Sequence, residues 1–173
     1  SGTISGVLDL ELQGTHNTTE DFMGTGNVRN LTINGSGLNV TTGRETTLDG
    51  TLTITQGTLT TGNDGLTTGS HLSIAANGTL NGSGTANHSF TTLTIASGGV
   101  YNATSGRTTI TAANGAPGNS RCWYVPNTAG AFVPNKGLVK FTASSPQVEP
   151  VSAGGSATNN PFYDIEQTSG TMQ

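Results

Sequence analysis

Two pairs of carboxylates stand two residues apart in the sequence, Asp9 with Glu11 and Asp164 with Glu166. In a β-strand such residues point to the same face about 7 Å apart. Paired carboxylates carry out glycoside hydrolysis, so an enzyme that degrades polysaccharide is one function to consider. The same spacing arises on any solvated strand face. We expect that ordinary origin for both pairs and predict no catalytic residue.

The other residues that could do chemistry are isolated. His16, His71 and His88 have no spacing typical of metal ligands. Cys122 is the single cysteine and has no histidine near it in sequence, so we predict neither a disulfide nor a nucleophile. The glycine-rich stretches lack the lysine of a phosphate-binding loop. We therefore predict no metal and no cofactor.

The composition also limits the partners. Six Lys and Arg against ten Asp and Glu give a net charge of -4, which repels the phosphates of nucleic acid. No apolar run approaches the roughly 18 residues of a membrane helix, so we predict no membrane insertion. The fractions of charged residues (9%) and hydrophobic residues (31%) are both low for an ordinary globular domain and favour a repeated architecture.

Apolar-polar-apolar triplets recur every 20 or 21 residues and predict short strands, with the outer residues of each triplet buried and the middle one outside. Gly and Asn between them suit tight corners, which require positive φ. A second apolar series keeps step with the triplets. The triplets occupy residues 10–12, 31–33, 52–54, 72–74 and 93–95, and the second series is Leu38, Leu59, Leu80 and Val100.

This period is shorter than the roughly 30 residues of a βαβ unit, and the intervals contain few strong helix formers. The sequence therefore predicts an all-β parallel β-helix, a β-solenoid of about eight coils of 20–21 residues. A right-handed coil is expected because that hand is usual for the fold. Regular coils are predicted for residues 1–112, an irregular segment for 113–136, and further coils for 137–173, the last one incomplete.

The irregular segment contains Pro117, Pro126 and Pro134 together with Trp123 and Phe132. It is either an insertion that projects aromatic groups for binding or a coil whose aromatic groups fill the core, and we favour the coil. An open solenoid end exposes unpaired backbone and apolar side chains. Since the sequence ends at Gln173 without a cap, we expect that the natural chain continues or that another subunit covers this end.

The later coils, with the Leu-x-Ile coils before them, resemble the Thr/Gly/Asn-rich β-solenoid repeats of bacteriophage virion proteins and bacterial surface adhesins. The residues that carry this likeness are Gly137, Val139, Phe141, Gln147, Phe162, Tyr163 and Ile165. Phe162 to Ile165 also match Phe90 to Leu93 in pattern. The resemblance implies a non-enzymatic structural or adhesive segment at the virion surface, as part of a capsid decoration, spike or tail fibre. Its implied partners are other virion subunits, including copies of itself, and host-surface glycans.

A second function shares every one of these residues. The passenger repeat of a secreted bacterial adhesin would have the same composition and coils and would lie at the bacterial cell surface or be secreted. The third hypothesis is the polysaccharide-degrading β-helix enzyme, for which Asp9 and Glu11 are the candidate pair. A docking domain or a membrane anchor in the flanking sequence would separate the first two.

Overall fold

The computed structural model describes residues 7–20, 28–116, 118, 120–125, 129–149 and 162–172. Within these ranges every regular element is a β-strand, and the strands pair in parallel with neighbours one turn away in sequence. They form one ten-stranded and one six-stranded sheet. The chain is a parallel β-solenoid, as the repeat predicted. The predictions concerning Pro117, Pro126 and Gln173 lie outside the described residues.

The strands are numbered in chain order, and the long ones turn a corner and contribute to two ladders. Their bounds are β1 (Leu8–Gln13), β2 (Asn17–Glu20), β3 (Val28–Thr42), β4 (Thr46–Leu48), β5 (Leu52–Thr60), β6 (Leu66–Thr68), β7 (His71–Asn81), β8 (His88–Phe90), β9 (Thr92–Ile95), β10 (Val100–Asn102), β11 (Arg107–Ile110), β12 (Trp123–Tyr124), β13 (Phe132–Val133), β14 (Leu138–Phe141), β15 (Val148–Glu149) and β16 (Asp164–Gln167).

The first ladder consists of the predicted triplets. Leu31 pairs with Leu52, Leu52 with Leu72, and Leu72 with Leu93, and none of these four side chains is exposed. The third residues of the triplets pair in the same order, while the middle residues lie on the outer face. Alternation therefore predicted both the strands and the buried face correctly.

The second ladder was predicted correctly at Leu59 and Leu80 but not at its ends. Val40, rather than Leu38, pairs with Leu59, because the corner before it is two residues longer than in the next turn. Leu38 is nevertheless buried, within that corner. Tyr101, rather than Val100, pairs with Leu80 and points into the core. Val100 is apolar but alternates to the partly exposed side.

A third ladder, formed by β4, β6, β8, β11, β14 and β16, was not predicted. Its inner positions combine apolar residues such as Leu48 and Phe90 with Thr46, His88 and Thr108, all of them buried. These polar residues interrupt the alternation that marks a strand in the sequence. Each turn that is described throughout, such as the one formed by β5 and β6, thus contributes to three ladders rather than two.

The prediction of about eight coils was wrong, since the solenoid has about six turns. Leu93 pairs with Trp123, 30 positions later, and Arg107 pairs with Leu138, 31 positions later. The additional residues lengthen the connections of the later turns instead of forming further coils. Ile165 accordingly pairs with Val139 in the third ladder and does not occupy the place of Leu93. The hand of the coil stays a prediction.

The core changes from aliphatic to aromatic along the axis. Trp123 and Phe132 are 1% and 2% exposed, and their rings meet edge to face with centroids 5.0 Å apart. Phe141 and Phe162 pack against the same tryptophan. These two aromatic residues of the 113–136 segment therefore fill the core instead of projecting from it. Edge-to-face contacts of this kind contribute beyond simple burial.

Candidate functional site

The carboxylate pair on β1 is bound by neighbours from the next turn. Asp9 forms an ion pair with Arg29 and accepts a hydrogen bond from Asn30 Nδ2 at 2.9 Å. Glu11 Oε1 accepts hydrogen bonds from Asn34 Nδ2 and Gln13 Nε2, both at 2.8 Å. The two carboxylates point outward from one strand, as predicted, but each has its own partners.

These partners lower the pKa of both carboxyl groups. For Asp9 the largest cause is the hydrogen bond from Arg29, and for Glu11 it is the hydrogen bond from Asn34. A glycosidase of this kind needs one carboxyl group whose pKa is raised so that it stays protonated and can donate. Asp9 and Glu11 are shifted in the opposite direction, which suits a pair of exposed, ionised groups.

The second carboxylate pair lies on β16 and is also exposed. Glu166 Oε1 accepts a hydrogen bond from Lys140 Nζ at 2.7 Å across the third ladder. Asp164 pairs through its backbone with Leu138. The structure therefore places these carboxylates in the strand register expected, on a solvated face.

The histidines and the cysteine do not come together. His16 is exposed, whereas His71 and His88 lie in the core on different ladders. Cys122 is buried and donates to the carbonyl of Gln147 at 3.1 Å, and burial raises the pKa of its thiol to about 11. Among the described residues no group of three or more His, Cys, Asp or Glu could hold a metal ion.

His88 belongs to a buried polar cluster that the sequence did not reveal. Its Nε2 lies 3.0 Å from Thr61 Oγ1, and its Nδ1 lies 2.9 Å from the hydroxyl of Tyr101. That hydroxyl lies 2.8 Å from Thr108 Oγ1. Burial lowers the pKa of His88 to about 4 and raises the pKa of Tyr101. The cluster is enclosed, and it satisfies its own hydrogen bonds within the core.

The outer face of the second ladder is a regular polar surface over several turns. On β2, β3, β5 and β7 the outward positions flanking each inner residue form two columns of Thr and Asn; on β10 the apolar Val100 ends the first column, and the second continues at Asn102. We call them the threonine–asparagine surface. One column is Asn17, Asn39, Thr58 and Thr79, and the other is Thr19, Thr41, Thr60, Asn81 and Asn102.

An open depression of about 500 Å³ lies at one end of this surface. Its lining is entirely polar and uncharged, and most of it comes from the two columns. The lining residues are Asn17, Thr18, Thr19, Asn39, Thr41 and Thr60. A concave, neutral surface of hydroxyl and amide groups can exchange hydrogen bonds with a polar ligand in both directions.

Comparison with protein-family models, with curated proteins and with solved structures gives no match for this chain. Separately, the described residues contain no helix long and apolar enough to cross a bilayer.

Proposed function

We propose that the chain is a non-enzymatic structural and adhesive segment of a bacteriophage virion, a rigid rod that presents a surface for attachment. The observation that carries this proposal is the threonine–asparagine surface, an uncharged polar face that continues over successive turns above an unbroken core. Rigidity follows from the ladders, because every interior strand is hydrogen-bonded on both sides.

One further feature supports a surface segment of this kind. The later coils resemble the β-solenoid repeats of bacteriophage virion proteins and of bacterial surface adhesins, as described above. Placement at the virion surface beside other subunits, including copies of itself, is part of the same proposal.

Cryo-electron microscopy of the particle from the natural source tests this function. The proposal expects density for the solenoid on the capsid or tail, with the threonine–asparagine surface turned outward. Density on a bacterial surface filament would instead establish the adhesin passenger and overturn the virion proposal. Release of sugar from a polysaccharide by the purified chain, lost in the Asp9→Asn variant, would establish the enzyme.

A further inference from the structure

The threonine–asparagine surface repeats in two directions. Successive strands of a parallel ladder are about 4.8 Å apart, and alternate residues on one strand are about 7 Å apart. Each of several turns therefore presents an equivalent pair of side chains, as Thr58 and Thr60 do on β5. A ligand that lies along the solenoid axis would meet a pair of Thr or Asn side chains at each of the four turns from β2 to β7.

The side chains of this surface also keep much of their hydrogen-bonding capacity. Asn39 donates to Asn17 at 2.8 Å, but Thr41, Thr58 and Thr60 form no side-chain hydrogen bond with another described residue. The amide row at the neighbouring corner behaves differently. There Gln56 Nε2 donates to Asn34, which in turn donates to Glu11, so those side chains are occupied with one another.

The chemistry of the surface is neutral throughout its described side chains. Thr hydroxyl groups and Asn amides both donate and accept, as sugar hydroxyl groups do. A cationic or anionic ligand would find no opposite charge among the two columns, and it would lose hydration without compensation. A polyhydroxylated, uncharged ligand matches this surface better than a charged one.

We propose that the threonine–asparagine surface binds a neutral, linear polysaccharide that lies along the solenoid axis, with the depression at Asn17 and Asn39 as one end of its path. This inference rests on the proposed attachment function and specifies its ligand. The columns follow the direction in which the strands stack, so the ligand is an extended ribbon such as a β-(1→4)-linked glucan, xylan or mannan. A coiled α-(1→4)-glucan would leave the columns after a short distance.

At each turn the two columns offer only a few hydrogen-bonding groups and no aromatic side chain, so the contact per turn is weak. Affinity then arises from repetition, because linked contacts act at a high effective concentration. Binding is therefore expected to depend on the length of the polysaccharide. A polymer should bind at least tenfold more tightly than a disaccharide of the same linkage.

The test is a depletion assay with the purified chain on amorphous cellulose, insoluble xylan and insoluble mannan, with granular starch as the coiled comparison. The double variant Thr58→Glu/Thr60→Glu places two charges in the columns. The matched control is Thr47→Glu/Thr67→Glu, which alters outward threonines of the third ladder. Circular dichroism checks that all proteins are folded.

The proposal expects at least one of the three ribbon polysaccharides to deplete the protein, with binding reduced at least tenfold in the column variant and unchanged in the control. Failure of all three to bind, preferential binding to starch, or equal loss in both variants would overturn it. Cryo-electron microscopy tests the virion function independently. A solenoid found on the virion that binds none of these polymers would overturn the ligand assignment alone.

Discussion

The hydroxyl of Tyr101 lies 2.9 Å from Nδ1 of His88 in a part of the core where neither side chain is exposed. The two residues come from different ladders, since His88 is on β8 and Tyr101 is on β10. Their contact therefore ties two walls of the solenoid together through its interior. A polar interaction at this depth stabilises the fold only while both partners are satisfied.

Tyr101→Phe should destabilise the chain by about 1–3 kcal/mol, because it leaves His88 Nδ1 and Thr108 Oγ1 without that partner in the core. Urea unfolding followed by circular dichroism measures the loss. The control is Tyr163→Phe, since Tyr163 is 63% exposed and its hydroxyl can bond to water. Equal stability of the two variants would show that the cluster contributes nothing.

Stability should fall as the pH drops from about 6.5 to about 4. Burial lowers the pKa of His71 and of His88 to about 4, below the ordinary 6.5. In this interval the unfolded chain takes up protons that the folded chain does not, so acid favours unfolding. For His88 the loss amounts to about 3 kcal/mol across the window and levels off below it.

The free energy of unfolding in urea at several pH values measures this slope. His88→Leu should make the slope between pH 4 and 6.5 shallower by the contribution of one proton. The pKa values of Asp9 and Glu11 are also lowered, so their contribution is lost as the pH falls from the ordinary carboxyl values of 3.8 and 4.5 downward, and it is the same in the parent chain and in His88→Leu. A slope unaffected by His88→Leu would contradict the assignment.

Two adjacent positions on β5 should differ strongly in their tolerance of a charged side chain. Leu52→Asp places an unpaired carboxylate in the first ladder, where the native side chain is not exposed, and should prevent folding. Thr53→Asp lies on the outer face and should change stability by no more than about 0.5 kcal/mol. Circular dichroism and size-exclusion chromatography compare the two variants. Similar behaviour would refute the alternating inside and outside assignment.

Trp123 should report on the aromatic part of the core. It is the single tryptophan and is 1% exposed, so its fluorescence should be blue-shifted and protected from acrylamide until the chain unfolds. Trp123→Ala should destabilise the chain by about 3–5 kcal/mol, because the contacts with Phe132 and Phe162 are lost. Emission typical of a solvated indole in the native protein would place this residue outside the core.

Arg29→Ala should raise the pKa of Asp9 toward its ordinary value, because the hydrogen bond from Arg29 is the main cause of the lowered pKa. NMR titration of the carboxyl carbon measures this change, with Glu11 as the internal comparison. Stability should change little, since ion pairs between exposed side chains contribute little. An unchanged pKa at Asp9 would mean that the ion pair is not formed in solution.

The sequence predicted those parts of the fold in which apolar and polar residues alternate cleanly. Leu52, Ile54 and their equivalents defined the first ladder because each is repeated at the same interval and flanked by polar residues. The third ladder was missed because His88 and Thr108 stand at inner positions, where hydrogen bonds replace apolar contact. Polar residues can occupy those buried positions because partners distant in sequence, such as Tyr101, satisfy their hydrogen bonds. No local sequence pattern identifies such partners.

The candidate surface was harder to predict than the fold. The sequence showed that threonines face outward, but it could not bring Thr41 beside Thr60, since that pairing depends on the lengths of the intervening corners. The carboxylate pair at Asp9 and Glu11 was visible from spacing alone. Its lowered pKa values come from Arg29 and Asn34, one turn away, and follow only from the register between β1 and β3.

The one-turn register has a consequence for the history of the gene. Leu31 pairs with Leu52, and Leu52 pairs with Leu72 in the same manner. An in-frame deletion of codons 52–71 would thus remove one turn and bring Leu72 against Leu31, at the loss of the contact between Thr61 and His88. Recombination between such equivalent codons can shorten or lengthen the solenoid by whole turns. The length of the rod can therefore evolve while the fold stays the same.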